Sequence, residues 1–169
     1  MRSRPSDRRD ELGLPVHLVY AVVDATRAIG ALIAESLAGA ESSVTVPQWR
    51  VLVLAAEGSV NLTAVAEDLG VHPSNATRVC DRLVKAGLVN RQRDGNDRRH
   101  VRLTLTPAGE ELYASAMRYR RERVEAAMAR ISSEHRYALA AALVEFAAAL
   151  DAVHLESRGE PAEDIRGDR

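Results

Sequence analysis

The sequence predicts a mainly α fold carrying one small β-hairpin, and three observations predict it. Apolar residues recur at alternating steps of four and three near both ends of the 169-residue chain, the spacing of one helix face. Between those ends, capping residues together with Gly70 and Pro73 punctuate three shorter helices. The stretch VNRQRDGNDRRHVRLTLT then alternates apolar and polar residues about a central turn, as two paired strands do.

Taken in order, Leu18, Val22, Ala25, Ile29 and Leu32 place a first helix over Leu14–Leu37 with a coiled-coil-like seam. Gly30 interrupts it mildly, and Gly39, Ser42 and Ser43 supply the following loop. Thr45 and Gln48 have capping-box spacing and open a second helix, whose buried surface is assigned to Trp49, Leu52, Val53 and Leu54. Glu57 and Gly58 end it, and Asn61 caps a short third helix reaching Leu69. Gly70 suits a left-handed turn, Val71 is expected to pack inward, and His72 becomes the next N-cap. Pro73 stands at the first position of a fourth helix, where its missing N–H does no harm, and that helix continues to Lys85 before Gly87 stops it.

In the hairpin, Arg91 and Arg93 alternate with Asn90 and Gln92 up to a turn at Asp94 and Gly95. His100, Arg102 and Thr104 alternate with Val101, Leu103 and Leu105 on the way back. Pro107 starts a fifth helix reaching about Ile131, and a sixth runs from near Ser133 to Leu155 with a seam of Leu139, Leu143, Phe146, Leu150 and Val153. Helix, tight turn, helix and basic hairpin make a winged helix-turn-helix, here with long N- and C-terminal dimerisation helices. The expected organisation is a flexible tail over 1–13, a single domain over 14–155, and a flexible tail over 156–169. Within the domain, 14–40 and 107–155 are the dimerisation helices and 45–106 the winged lobe. Two apolar seams at opposite ends are more stripe than a small lobe covers alone, which points to an intertwined homodimer; burial within one subunit is the alternative.

Composition narrows the function. Hydrophobic residues at 46% and charged ones at 28% describe a soluble globular protein, with aromatics at only 4%. One cysteine suits a reducing, cytoplasmic setting. The charged start MRSRPSDRRDELGLP lacks the apolar region of a secretory signal. The most apolar run, Ala138 to Val153, is broken by Glu145 and Asp151 and reads as too short for a spanning helix, so no membrane partner is expected. Five scattered histidines lack metal-ligand spacing, and no nucleophile, phosphate loop or acid–base pair is recognisable. The sequence therefore predicts no metal, no cofactor and no enzyme. Net charge is only −1, yet eight basic residues stand against three acidic ones between His72 and Arg102, the local excess expected of a phosphate-binding surface.

The run GVHPSNATRVCDRLVKAGLVNRQRDGNDRRHVRLTLTPAG, Gly70 to Gly109, resembles the recognition helix and wing of the MarR family, including a wing element at Asp97, Arg98 and Arg99. TVPQWRVL, Thr45 to Leu52, is similar to the family's second helix, and the resemblance extends over Leu14 to Val153. His72 departs from it, since a small polar cap is usual there. The resemblance implies a sequence-specific transcription regulator, a homodimeric repressor on a pseudo-palindromic double-stranded DNA operator, released by a small aromatic or phenolic effector.

On the fourth helix, whose first turn faces base edges, Ser74, Asn75, Thr77 and Arg78 are the candidate readers and Arg82 the backbone contact. In the wing, Arg98 is assigned to the minor groove and Arg91 and Arg93 to phosphates. The resemblance implies a structural ion pair of Arg99 with Asp81, with the roles of Arg98 and Arg99 interchangeable at this stage. It also implies a ligand pocket at His17, Tyr20 and Trp49, for which ordinary core and interface packing is the competing reading. Cys80 is either a small buried core residue or a redox sensor. A winged-helix protein-interaction module is the rival from another functional class.

Overall fold

The computed structural model describes residues 13–38, 44–58, 60–93 and 101–157. Arg98 and Arg99, and both expected tails apart from Gly13, Glu156 and Ser157, lie outside them. In chain order the elements are α1 (Val16–Ala38), α2 (Val46–Glu57), β1 (Val60–Asn61), α3 (Leu62–Leu69), α4 (Pro73–Lys85), β2 (Val89–Arg93), β3 (Val101–Leu105), α5 (Pro107–Met128) and α6 (Ser133–Ser157). The fold is mostly helical with a small antiparallel sheet.

Local chemistry sets the helix boundaries. Gln48 Oε1 accepts from the Thr45 N–H at 2.8 Å and from the Thr45 hydroxyl at 2.9 Å, closing the start of α2. Asn61 Oδ1 accepts from the Ala64 N–H at 2.8 Å at the start of α3. Gly70 ends α3 at φ 64°, ψ 35°, a left-handed conformation in which a side chain would be strained. Beside that turn, Arg50 Nε lies 2.9 Å from Asp68 Oδ2 and Arg50 Nη2 donates to the Asp68 carbonyl at 2.6 Å, so α2 braces the last turn of α3.

The core of this lobe joins four elements: Leu52 of α2, Val65 of α3, Leu83 of α4 and Leu103 of β3 are all fully buried. Val51 and Ala55 share the buried face of α2 with Trp49 and Leu52, whereas Val53 and Leu54 are only partly buried. Val71 is exposed rather than packed inward, because the left-handed turn at Gly70 carries the chain out to the solvent side before α4 begins.

The sheet has three strands where the sequence suggested two. Val60 and Asn61 pair with Leu103 and Arg102, giving the order β1–β3–β2. A two-residue strand has no alternation to detect, so only its partner announces it. Between β2 and β3 the register pairs Val89 with Leu105, Arg91 with Leu103, and Gln92 with Arg102. Residues directly opposite share a face. Arg91 therefore stands on the face of buried Leu103, and Gln92 and Arg102 stand on the other.

The start of α5 is locked to the turn that precedes β2. Thr106 N–H donates to the Leu88 carbonyl at 3.0 Å, and the Thr106 hydroxyl donates to the Gly87 carbonyl at 2.6 Å while accepting from the Gly109 N–H at 3.0 Å. Further along, Arg120 Nε donates to Ser36 Oγ at 2.8 Å, joining α5 to the end of α1.

Contacts divide the chain within α5 into units Met1–Arg123 and Val124–Arg169. In the second unit Arg136 donates to the carbonyls of Ile131 at 2.8 Å and Ala129 at 3.1 Å, satisfying acceptors left open past the end of α5. That helix stops at Met128, three residues before the expected Ile131. At 25 residues α6 extends beyond the run Ala138–Val153 that the sequence reads as too short to span a bilayer. By length and composition both α1 and α6 qualify, with mean hydropathies of 1.5 and 1.4. What distinguishes them within their own units is exposure. Of α1 only Leu37 is buried, and no described residue of α6 is.

Candidate nucleic-acid interface

Helix α4 is divided lengthwise by its sequence. Ala76, Cys80 and Leu83, at steps of four and three, are fully buried against the lobe. Ser74, Arg78, Arg82 and Lys85, at steps of four, four and three, are exposed, and Asn75 is exposed beside them. Four of the five candidates on this helix thus share one solvent-facing surface with Lys85, and three residues of that surface, Arg78, Arg82 and Lys85, are cations. The fifth, Thr77, is half-buried and donates its hydroxyl proton to the Pro73 carbonyl at 2.9 Å. Arg82 and Lys85 also fall in the last turn, where positive charge complements the helix dipole.

The acid on α4 points elsewhere. Asp81 Oδ1 meets Arg91 Nη1 at 2.9 Å, tying helix to wing. Among the described residues Arg91 is the partner of Asp81; Arg99, which the resemblance puts there, lies outside them. The register explains the pair: the strand face shared with Leu103 is the face turned toward the core, so Arg91, although partly exposed, reaches α4. Arg93 continues the same register opposite Val101. Arg102, a member of the basic segment, is exposed on the other face of β3; a hairpin pattern alone does not say which face looks outward.

His72, the unusual cap, is the N-cap of α4. Its Nδ1 accepts from the Ser74 N–H at 3.3 Å and lies 2.9 Å from Ser74 Oγ, at the leading edge of the exposed surface. Cys80, by contrast, faces inward. Burial, with the neighbouring Asp81 carboxylate, pushes its thiol up to about 11 from an ordinary 9.0. A thiol held that high stays protonated at neutral pH and is a poor nucleophile.

The three residues offered as a ligand pocket are not gathered together. Trp49 is a core residue, stacked on Tyr113 with ring centroids 5.5 Å apart, and the Arg120 guanidinium lies 4.1 Å from the centre of its ring. His17 and Tyr20 lie on the exposed early turns of α1. A surface pocket edged by Ala55, Gly58, Thr104, Glu110 and Tyr113 includes none of the three. Among the described residues there is no cluster of three or more metal-ligating side chains.

Comparison with known proteins places this geometry. The profile of the MarR family matches residues 44–101, from the start of α2 into β3. The HTH-type transcriptional regulator FarR of Neisseria gonorrhoeae is 34% identical over 115 residues, which cover 68% of this chain and 79% of that protein. The crystal structure of RV1404 from Mycobacterium tuberculosis superposes with a TM-score of 0.72 at 32% identity, covering 78% of this chain and 92% of that one. Streptococcus pneumoniae FabT, solved in complex with DNA, shares the fold at 20% identity with a TM-score of 0.69, over 81% of this chain and 99% of that one.

Proposed function

The chain belongs to the MarR family of transcription regulators, and from that premise we propose that it is a homodimeric repressor whose paired α4 helices enter successive major grooves of a pseudo-palindromic operator. The observation that carries this reading is the divided α4, with Ala76, Cys80 and Leu83 buried and Ser74, Asn75, Arg78 and Arg82 exposed. Asparagine and arginine in the first turns of such a helix can bond adenine and guanine bidentately, and Arg82 one turn later meets the sugar-phosphate backbone. The DNA complex of the FabT relative supports the same use of the fold.

Two further observations support the homodimer. Leu18 and Ile29 of α1, and Leu150 and Val153 of α6, are each about half or more exposed, although each lies on an apolar helical seam. Such large apolar stripes on a soluble family member call for cover, and a second copy supplies identical ones. In this assembly the recognition helices stand about 34 Å apart, one turn of the duplex. The burial of Cys80 argues against a redox trigger at that residue.

Fluorescence anisotropy on a duplex selected from genomic fragments tests the reading. Affinity should fall steeply with salt, with a logarithmic slope of about −5 if roughly six phosphates are neutralised by the dimer. Salt-insensitive binding, or none, would favour the protein-interaction module instead.

A further inference from the structure

We propose that His72 fixes the hydrogen-bond polarity of Ser74, turning its hydroxyl into a dedicated acceptor that selects the exocyclic amine of adenine or cytosine in the major groove. The inference rests on α4 being the reading helix and adds to it a residue that sets specificity without being one of the proposed base contacts.

The start of α4 supplies an argument for which ring nitrogen of His72 carries the proton, on which the roles in its contact with Ser74 depend. Pro73 has no N–H to place. The N–H groups of Asn75 and Ala76 both donate to the His72 carbonyl, at 2.8 and 3.3 Å. Ser74 N–H is therefore the one donor of this first turn that needs a side-chain acceptor, and it is directed at His72 Nδ1. A ring nitrogen that accepts carries no proton, so the neutral imidazole holds its proton on Nε2. Ser74 Oγ lies 2.9 Å from the same Nδ1. With no proton on the nitrogen, the hydroxyl is the donor in that contact and, at 2.9 Å against 3.3 Å for the N–H, takes the larger share of the single Nδ1 lone pair. What the exposed Ser74 then offers outward is lone pairs alone.

That distinction matters in a groove. Adenine N6 and cytosine N4 present donors there, while guanine O6 and N7 and thymine O4 present acceptors. A serine whose hydroxyl rotates freely adapts to either kind. One whose proton is held by a neighbouring imidazole accepts the amines and leaves a guanine or thymine edge facing lone pairs.

The test compares the full-length protein with its His72→Gly and Ser74→Ala variants on a selected operator duplex and on single-position replacements of it. Glycine is a tolerated N-cap, so His72→Gly frees Ser74 without removing the helix start, and a thermal scan within a few degrees of the parent confirms that. At one base pair per half-site the parent should lose roughly tenfold when adenine is replaced by purine, which lacks the amine, or when the amine-bearing base is exchanged for guanine or thymine. Ser74→Ala should be indifferent to both changes, and His72→Gly should tolerate the exchange. A long-range proton–nitrogen spectrum should show His72 with its proton on Nε2. Discrimination by His72→Gly equal to that of the parent, or a proton on Nδ1, overturns the proposal while leaving α4 as the reading helix. A parent protein that binds no duplex at all overturns both.

Discussion

Arg91 Nη1 meets Asp81 Oδ1 at 2.9 Å, so the first strand of the wing is tied directly to the helix that would read DNA. Both side chains are partly open to solvent, at 35% and 55% exposure, and an ion pair so placed contributes at most about 1 kcal/mol to stability. Its larger effect is on charge presentation, because Asp81 both orients Arg91 and cancels it. Asp81→Asn should therefore leave the thermal midpoint nearly unchanged and raise affinity for unrelated duplexes, lowering the ratio of specific to non-specific binding. Anisotropy on operator and scrambled duplexes checks this, and an unchanged ratio would count against the pair as a limiter of non-specific attraction.

Gly109 shows how closely the fifth helix approaches the base of the wing. A Cβ added there would fall on the Leu88 carbonyl oxygen, an atom that cannot swing aside because it already accepts from the Thr106 N–H. Gly109→Ala should cost about 1–3 kcal/mol, the range for forcing extra volume into a packed site. Denaturant unfolding measures it. Gly30, with nothing near its added Cβ and a position inside α1, is the control: Gly30→Ala should be neutral or stabilising by about 1 kcal/mol.

Legibility followed local chemistry. The boundaries of α2, α3 and α4 were readable because Thr45, Asn61, Gly70 and Pro73 each satisfy or remove a specific backbone group, and those requirements act within three or four residues. Long-range choices were not readable in the same way. Strand β1 exists only through Leu103 and Arg102, some forty residues away. The cation opposite Asp81 depended on which wing face turned inward, and the sequence reading placed Arg91 at phosphates and not beside Asp81. Trp49 could have been wall or core; Tyr113 and Arg120, which enclose it, come from a helix sixty residues later. Of the proposed contact surface, the α4 residues were accessible to reasoning because helical spacing divides that helix into two faces. The hydrogen bond between His72 and Ser74 was not, since a cap is usually read for its helix and seldom for its neighbour's proton.

Cys80 provides a pH prediction with a definite sign. Its folded-state value is raised to about 11 by burial and by Asp81, above the 9.0 of an exposed thiol. The unfolded chain therefore releases the proton first. The stabilising contribution is complete below pH 9 and is lost as pH rises toward 11. Stability measured across that window should decline more in the parent than in Cys80→Ala, after allowing for the lost packing. At neutral pH an alkylating reagent should modify the thiol only in denaturant, and rapid labelling of the native protein would contradict its placement against the core.

Arg78 occupies the middle of the exposed face of α4, one turn after Ser74 and one before Arg82. A guanidinium there can clamp guanine with two bonds, worth about 1–3 kcal/mol of discrimination. Arg78→Ala should weaken operator binding roughly ten- to a hundredfold and relax preference at one base pair per half-site, while Arg82→Ala should weaken all duplexes alike and reduce the salt slope by about one unit per contact. Identical profiles for the two variants would remove the distinction between reader and backbone contact.

The exposed seams make the strongest demand on the assembly. Leu143, Phe146, Leu150 and Val153 lie at steps of three and four along α6, and all four are more than a third exposed. Glutamate at Leu143 and Leu150 adds no strain to a solvent-facing helix, so a monomeric protein would tolerate both changes with little loss of helicity. If a second copy covers this stripe, the same substitutions bury charge without a partner, and the dimer dissociates. The double variant should sediment as a monomer with helical content close to the parent, and its operator affinity should fall at least a hundredfold, because each half-site then binds without the effective concentration supplied by its twin. A variant that remains dimeric would move the interface off α6. One that becomes monomeric yet binds the operator as tightly as the parent would detach DNA recognition from the two-fold assembly altogether.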